Sequence, residues 1–193
     1  MMIWAIGNGQ SRIGINLNSL QGTTVGCNAL HRDFQPDHLI CVDRRMVKEA
    51  LDAEIKSIIY TRKDWHENYP RSDKLKEVSK LPYKGTERPD DPFHWGSGPY
   101  AALLAAKLDT DVHMIGFDLY SADKKTNNIY KDTPHYNSSD KRAVDPRYWV
   151  WQIAKVFQIY NRRTFTIYQD DDWIQPEAWK YPNVKVDKIS KLV

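Results

Sequence analysis

The chain is poor in several features that would narrow its chemistry at once. It has two cysteines, Cys27 and Cys41, among 193 residues. They show no CxxC spacing, which excludes a cysteine zinc site and a disulfide framework. Both read as small, reduced hydrophobes near strand ends. The six histidines contain no H-E-x-x-H pair, so they are assigned no metal. No apolar run approaches the roughly 18 residues that a spanning helix requires. The opening Met1-Met2-Ile3-Trp4-Ala5-Ile6-Gly7 lacks the basic stretch and long apolar core of a secretion signal, so the expected compartment is the cytoplasm. One-sided charge is missing too: 28 basic residues face 25 acidic ones, a net charge of +3. A nucleic-acid partner is therefore not expected, since phosphate-backbone binders concentrate basic charge on one face.

What is present fits a folded enzyme-sized domain. Hydrophobic residues make up 41% of the chain, enough for a buried core at this length. Aromatics reach 12%, with seven tryptophans, which suits either a recognition pocket or an aromatic core. There is no internal repeat and no low-complexity tract.

Short apolar runs alternate with helical periods. Strands are expected at Met2–Ile6, Thr23–Asn28, His38–Asp43, Ser57–Tyr60, Val112–Ile115 and Thr164–Tyr168. Helices are expected at Arg44–Ala53, at Gly98–Leu108 with Pro99 in its first turn, and at Pro146–Tyr160. Residues 61–95, with four prolines among many charges, read as an irregular insertion of the kind that forms lids and binding loops. Residues 121–146 read as a polar loop. The expected fold is α/β: a Rossmann-like, mainly parallel sheet with helices on both faces, in one domain. That nucleotide-binding domain covers 1–168, and 169–193 reads as a C-terminal tail.

In such sheets ligands bind beyond the carboxyl ends of the strands. The residues there are rich in Gly, Asn, Ser and Asp. Gly7, Asn8, Gly9 and Ser11 follow the first strand, where glycines let the backbone approach a phosphate. Arg12 stands where the dinucleotide fingerprint needs its third glycine, and no Gly-Lys-Ser/Thr follows. A plain strand-ending turn would look the same. Ser97 and Gly98 open the alanine-rich helix, whose N-terminus can attract an anion, although Ser97 could equally be an ordinary cap. Asn28, Asp43 and Asp118 end other strands. His135 lies in a polar loop, and an imidazole of ordinary pKa suits a general base. Asp170-Asp171-Asp172 reads as a solvated acidic turn rather than a cation site.

Four of these pieces, in order, resemble the bacterial sialyltransferases of lipooligosaccharide synthesis, which use a CMP-sugar donor. They are Gly7-Asn8-Gly9-x-Ser11; Cys27-Asn28; Ser97-Gly98-x-Tyr100 followed by an alanine-rich helix and Ile115-Gly116-Phe117-Asp118-Leu119-Tyr120; and His135-Tyr136. The resemblance implies that Asn8, Asn28, Ser97 and Gly98 hold the nucleotide and its phosphate. It implies that Tyr120, with Tyr130, hydrogen-bonds the departing phosphate and that His135 takes the acceptor proton. It also implies inversion at the sugar carbon, no required cofactor or metal, a small-molecule or glycan acceptor, and homo-oligomers. The chain departs from the pattern at Gln10, His94 and Asp43, where the family has Pro, Arg and Asn.

Two other readings stay open. One is an ATP- and Mg²⁺-dependent pyrophosphokinase of the pterin type, in which Asp43 and Asp118 converge on a cation. The other is a non-catalytic nucleotide-binding module.

Overall fold

The computed structural model describes residues 1–121 and 123–193; Ala122, inside the loop expected at 121–146, lies outside the described residues. The elements run β1 Met2–Ile6, β2 Thr23–Cys27, β3 His38–Ile40, α1 Arg44–Asp52, β4 Ile58–Thr61, α2 Lys63–His66, β5 Leu75–Glu77, α3 Ser97–Leu108, β6 Asp111–Ile115, α4 Arg147–Ile159, β7 Thr164–Gln169 and β8 Val184–Lys188. Among the described residues these strands form one sheet in the order β5-β4-β3-β2-β1-β6-β7-β8. Every neighbouring pair is parallel.

The central strands β1, β2, β6 and β7 bury both faces, because helices cover the sheet on both sides. In β1 the pleat sends Ile3 and Ala5 to one core and Trp4 and Ile6 to the other. The first core is closed by α3 and α4. Ala101, Ala102, Ala105 and Ala106 are fully buried, and their small side chains let α3 press against the sheet. Helix α4 packs on α3 through Ile153, Val156 and Phe157. The second core is closed by α1 through Met46, Val47 and Ala50. Helix α1 starts where it does because Asp43 caps it, its carboxylate accepting from Arg45 N at 2.8 Å.

Two stretches carry more structure than their sequence announces. Residues 61–95 supply α2 and the edge strand β5. Residues 169–193 supply the opposite edge strand, β8, and a fully buried Trp179 that packs edge-on against Phe157 at 5.6 Å. Burying a side chain of that size stabilises the fold by about 2–3 kcal/mol. No helix among the described residues is long and apolar enough to cross a membrane.

The strand order fixes where a ligand can enter. The chain winds outward from β1 to β5, then returns through α3 to β6 on the other side of β1. Connections therefore leave β1 and β6 in opposite directions, and a crevice opens above their carboxyl ends.

Candidate functional site

A cleft of about 300 Å³ lies at that crevice. Its wall begins with the turn after β1. Gly7 N–H donates to Ile115 O at 2.8 Å and Gly9 N–H to Gly116 O at 2.9 Å, so the exits of β1 and β6 run together. A Cβ on Gly7 would strike the Gly116 carbonyl, and one on Gly9 would strike the Asp118 carboxylate. Gly116 itself has φ +71°, in the left-handed region that glycine tolerates. These glycines serve close backbone approach first, and the open floor of the cleft follows from it.

Asn8 is buried, and both its amide nitrogen and its amide oxygen are tied to the chain. Its amide donates to Cys27 O at 3.0 Å and its carbonyl accepts from Arg12 at 3.3 Å. It ties the end of β1 to the end of β2. Arg12, also buried, donates to Gly7 O at 2.8 Å and to the Tyr130 hydroxyl at 3.1 Å. Tyr130 in turn donates to Asp33. The nearby Cys27 thiol is pushed up to about 12 by burial, so it stays protonated and is no nucleophile.

The second wall joins β2, β3 and α3. Asn28 has φ +51°, and its carbonyl accepts the ring N–H of His31 Nδ1 at 2.9 Å. Ser97 Oγ donates to Asn28 Oδ1 at 2.9 Å and accepts from Val42 N at 3.1 Å. Ser97 is therefore not the cap of α3: Gly96 occupies that position, without a side-chain cap bond. The hydroxyl locks three strand and helix ends together. Two sets of donors remain at the cleft. The backbone N–H groups of Ser97 and Gly98 have no partner within the helix. The Asn28 side-chain NH₂ has none among the described residues.

The remaining wall is apolar and polar by turns. Phe117, Trp149 and Ile153 contribute apolar surface, and Asn127 and Asn128 polar surface. Asn127 accepts from Gln10 N at 2.8 Å and donates to Tyr120 O at 2.9 Å. Asp118 is buried and receives Ser11 N at 2.9 Å, Ser11 Oγ, and Gln169 Nε2 at 3.1 Å. Asp43 is held by Arg45 NH2 at 2.7 Å. The Arg45 hydrogen bond, with the charge of His135 adding a smaller push, keeps its carboxyl below the usual range.

The structure thus brings Gly7, Asn8, Gly9, Asn28, Asp43, Ser97, Gly98 and Asp118 to one cleft. Three other expected site residues do not line it. Ser11 is spent on Asp118. Tyr120 donates its hydroxyl to Ile174 O at 2.6 Å, so it offers that proton to the chain and not to a ligand. His135 stands outside the cleft, half-exposed, with φ +72° and Nε2 4.0 Å from Glu49. It is near enough to Asp43 and Glu49 for its charge to lower both carboxyls. The sequence reading placed Phe117 in a segment beyond a strand end but missed Trp149, Asn127 and Asn128 as lining residues. The adjacent asparagines were the one visible signal; Trp149 reads as part of the apolar stripe of its helix.

Comparison with known protein families, with curated proteins and with solved structures finds no match to this chain.

Proposed function

We propose that the cleft holds the nucleotide of a CMP-linked sugar and that the chain transfers the sugar to a hydroxyl acceptor with inversion. The observation that carries this reading is the set of unspent donors on one wall: Ser97 N–H, Gly98 N–H and the Asn28 amide, at the N-terminus of a 12-residue helix. A helix end with free N–H groups attracts an anion, and its dipole adds to them. The cleft is at the lower end of the volumes that small-molecule sites occupy, which favours a nucleotide with a single phosphate. The apolar face of Phe117 and Trp149 suits a nucleobase, and the Asp43 carboxylate at the rim suits a ribose hydroxyl.

In this reading the acceptor oxygen attacks the anomeric carbon as the bond from that carbon to the phosphate oxygen breaks. The electron pair leaves on the phosphate, where the helix N–H groups stabilise the growing charge. The acceptor proton is assigned to His135, which stands outside the cleft but close enough to Asp43 for its charge to act on that carboxyl, so the acceptor hydroxyl must be presented on that side. Tyr120 has no part in the leaving-group step, because its hydroxyl is committed to Ile174.

The kinase-like alternative needs Asp43 and Asp118 to converge on a cation. Asp43 is engaged by Arg45, and Asp118 by Ser11 and Gln169. Calorimetric titration with CMP, CDP, UDP, ADP and ATP, each with and without Mg²⁺, tests the choice. Binding of CMP that is indifferent to Mg²⁺ is expected. Binding of ATP alone, and with Mg²⁺ alone, would overturn the reading.

A further inference from the structure

His135 occupies a turn position that suits another residue better. Tyr136 N–H donates to Thr133 O at 3.1 Å, closing a four-residue turn with Pro134 second and His135 third. His135 has φ +72°. Proline at the second place and a positive φ at the third are the pattern of a type II turn, whose third place glycine fills at least cost. A histidine held there is strained, and such strain persists only where the surroundings over-determine it. Glycine would make the same turn without an imidazole, so the strain points to a use for the imidazole.

Arg32 supplies the constraint. It ends the short helical segment Asn28–Arg32, which begins at the cleft residue Asn28. Its Nε and Nη2 grip the Glu49 carboxylate of α1 at 2.6 and 2.7 Å. Its Nη1 donates to Thr133 Oγ1 at 2.7 Å, and Nη2 also to Pro134 O at 3.1 Å; these are the two residues just before His135. The rings of Tyr130 and Tyr136 lie 5.7 and 5.8 Å from its guanidinium carbon. The same segment adds a second tie, Ala29 N–H donating to the Tyr136 hydroxyl at 3.3 Å.

The carboxylate so held is the one the imidazole faces. His135 Nε2 stands 4.0 Å from Glu49 Oε2, the oxygen bound by Arg32 Nη2. His31 Nε2 lies 3.3 Å from the other oxygen. One guanidinium therefore fixes both the backbone that carries His135 and the group opposite its ring. A lysine could not replace it, since an ammonium lacks the planar fork that meets both carboxylate oxygens and still reaches two further acceptors.

We propose that Arg32 is a positioning residue: it holds His135 in its left-handed turn with the imidazole facing Glu49. The catalytic meaning of that position rests on the transfer reaction proposed above; the clamp itself does not. Thermal unfolding of the full chain tests the clamp by comparing His135→Gly with His135→Ala, with Arg32 present and then in Arg32→Ala. With Arg32 present the glycine variant should melt about 2–4 °C higher, because glycine accepts the left-handed backbone and alanine resists it. Without Arg32 the turn relaxes, and the gap should close to under about 1 °C. A gap that stays the same in Arg32→Ala overturns the proposal.

A second measurement separates position from fold. Release of CMP from CMP–N-acetylneuraminate, with glycerol as the hydroxyl acceptor, is followed beside CMP titration of the same samples. Arg32→Ala should lower kcat at least about tenfold while KM for the donor and CMP affinity stay within about threefold, and Arg32→Lys should not restore kcat. Unchanged kcat, a loss of CMP affinity along with turnover, or recovery in Arg32→Lys would overturn the positioning role. A wild type that releases no CMP would instead count against the transfer reading, and the unfolding comparison would then decide the clamp alone.

Discussion

Ser97 Oγ donates to Asn28 Oδ1 at 2.9 Å, joining residues 69 positions apart, and this one contact orients the amide that faces the cleft. The same hydroxyl accepts from Val42 N, so removing it frees groups on two strand ends at once. Ser97→Ala is expected to destabilise the chain by about 1–2 kcal/mol and to weaken CMP binding about tenfold. Denaturant unfolding and calorimetry read the two effects separately. A variant that loses stability but keeps its affinity would show that Asn28 needs no such orientation.

The glycines divide into two kinds. Gly7 has a backbone carbonyl in the way of any Cβ, whereas a Cβ on Gly98 meets only Phe117 Cε1 at 3.5 Å. Gly7→Ala should cost about 1–3 kcal/mol or more, because backbone cannot step aside as a side chain can. Gly98→Ala should leave stability unchanged within about 0.5 kcal/mol. Thermal unfolding of the two variants checks the contrast.

His135 is assigned a step that exists only during transfer. His135→Ala should abolish turnover and keep nucleotide affinity within about threefold. Product formation and CMP titration on one preparation decide it. A collapse of affinity would make His135 a binding residue.

Glu49 links α1 to the polar loop through Arg32, which it binds at 2.6 and 2.7 Å. Arg32 continues to Thr133 Oγ1 at 2.7 Å and Pro134 O at 3.1 Å. The Arg32 hydrogen bond, ahead of the charges of His31 and His135, holds the Glu49 carboxyl below its ordinary value. A lowered carboxyl stabilises the fold above its unfolded pKa and ceases to do so as pH falls through the folded one. Wild type should therefore exceed Glu49→Gln in stability near neutral pH, and the gap should close below about pH 4. Unfolding curves across that range measure it. In the variant, hydrogen exchange at residues 129–137 should quicken while the core strands keep their protection.

Trp179 lies in the stretch that looks like a tail, yet it is fully buried, and its indole N–H donates to Val150 O at 2.9 Å. Trp179→Ala should cost about 3–5 kcal/mol, a core-sized loss, in denaturant unfolding. A loss under about 1 kcal/mol would mean that the C-terminal segment is dispensable to the core.

The central strands and the two long helices were legible because their apolar residues repeat at strand and helix periods. β1, α3 and α4 each fall within two residues of the expected bounds. The edge strands were not. β5 buries Leu75 and exposes Lys76 and Glu77, so it carries a single apolar signal. β8 is exposed at Lys185, Val186 and Lys188 and reads as loop. The site divides along the same line. Gly7, Asn28 and Ser97 were legible because strand ends concentrate such residues and parallel strands bring those ends to one edge. The positions of Tyr120 and His135 depend on the path of an aperiodic loop. That path is set by long-range bonds such as Arg32 to Thr133, which no local spacing announces.

The two borders of the sheet also govern how the molecule meets its own kind. One border is a three-residue strand bearing Lys76 and Glu77. The other bears Lys185, Asp187 and Lys188, the last two drawn to Lys191 and Asp171. Short, charged margins repel a stranger strand, so stacking of sheets edge to edge is disfavoured. Helix faces and loops are thereby left as the favoured surfaces for any self-association.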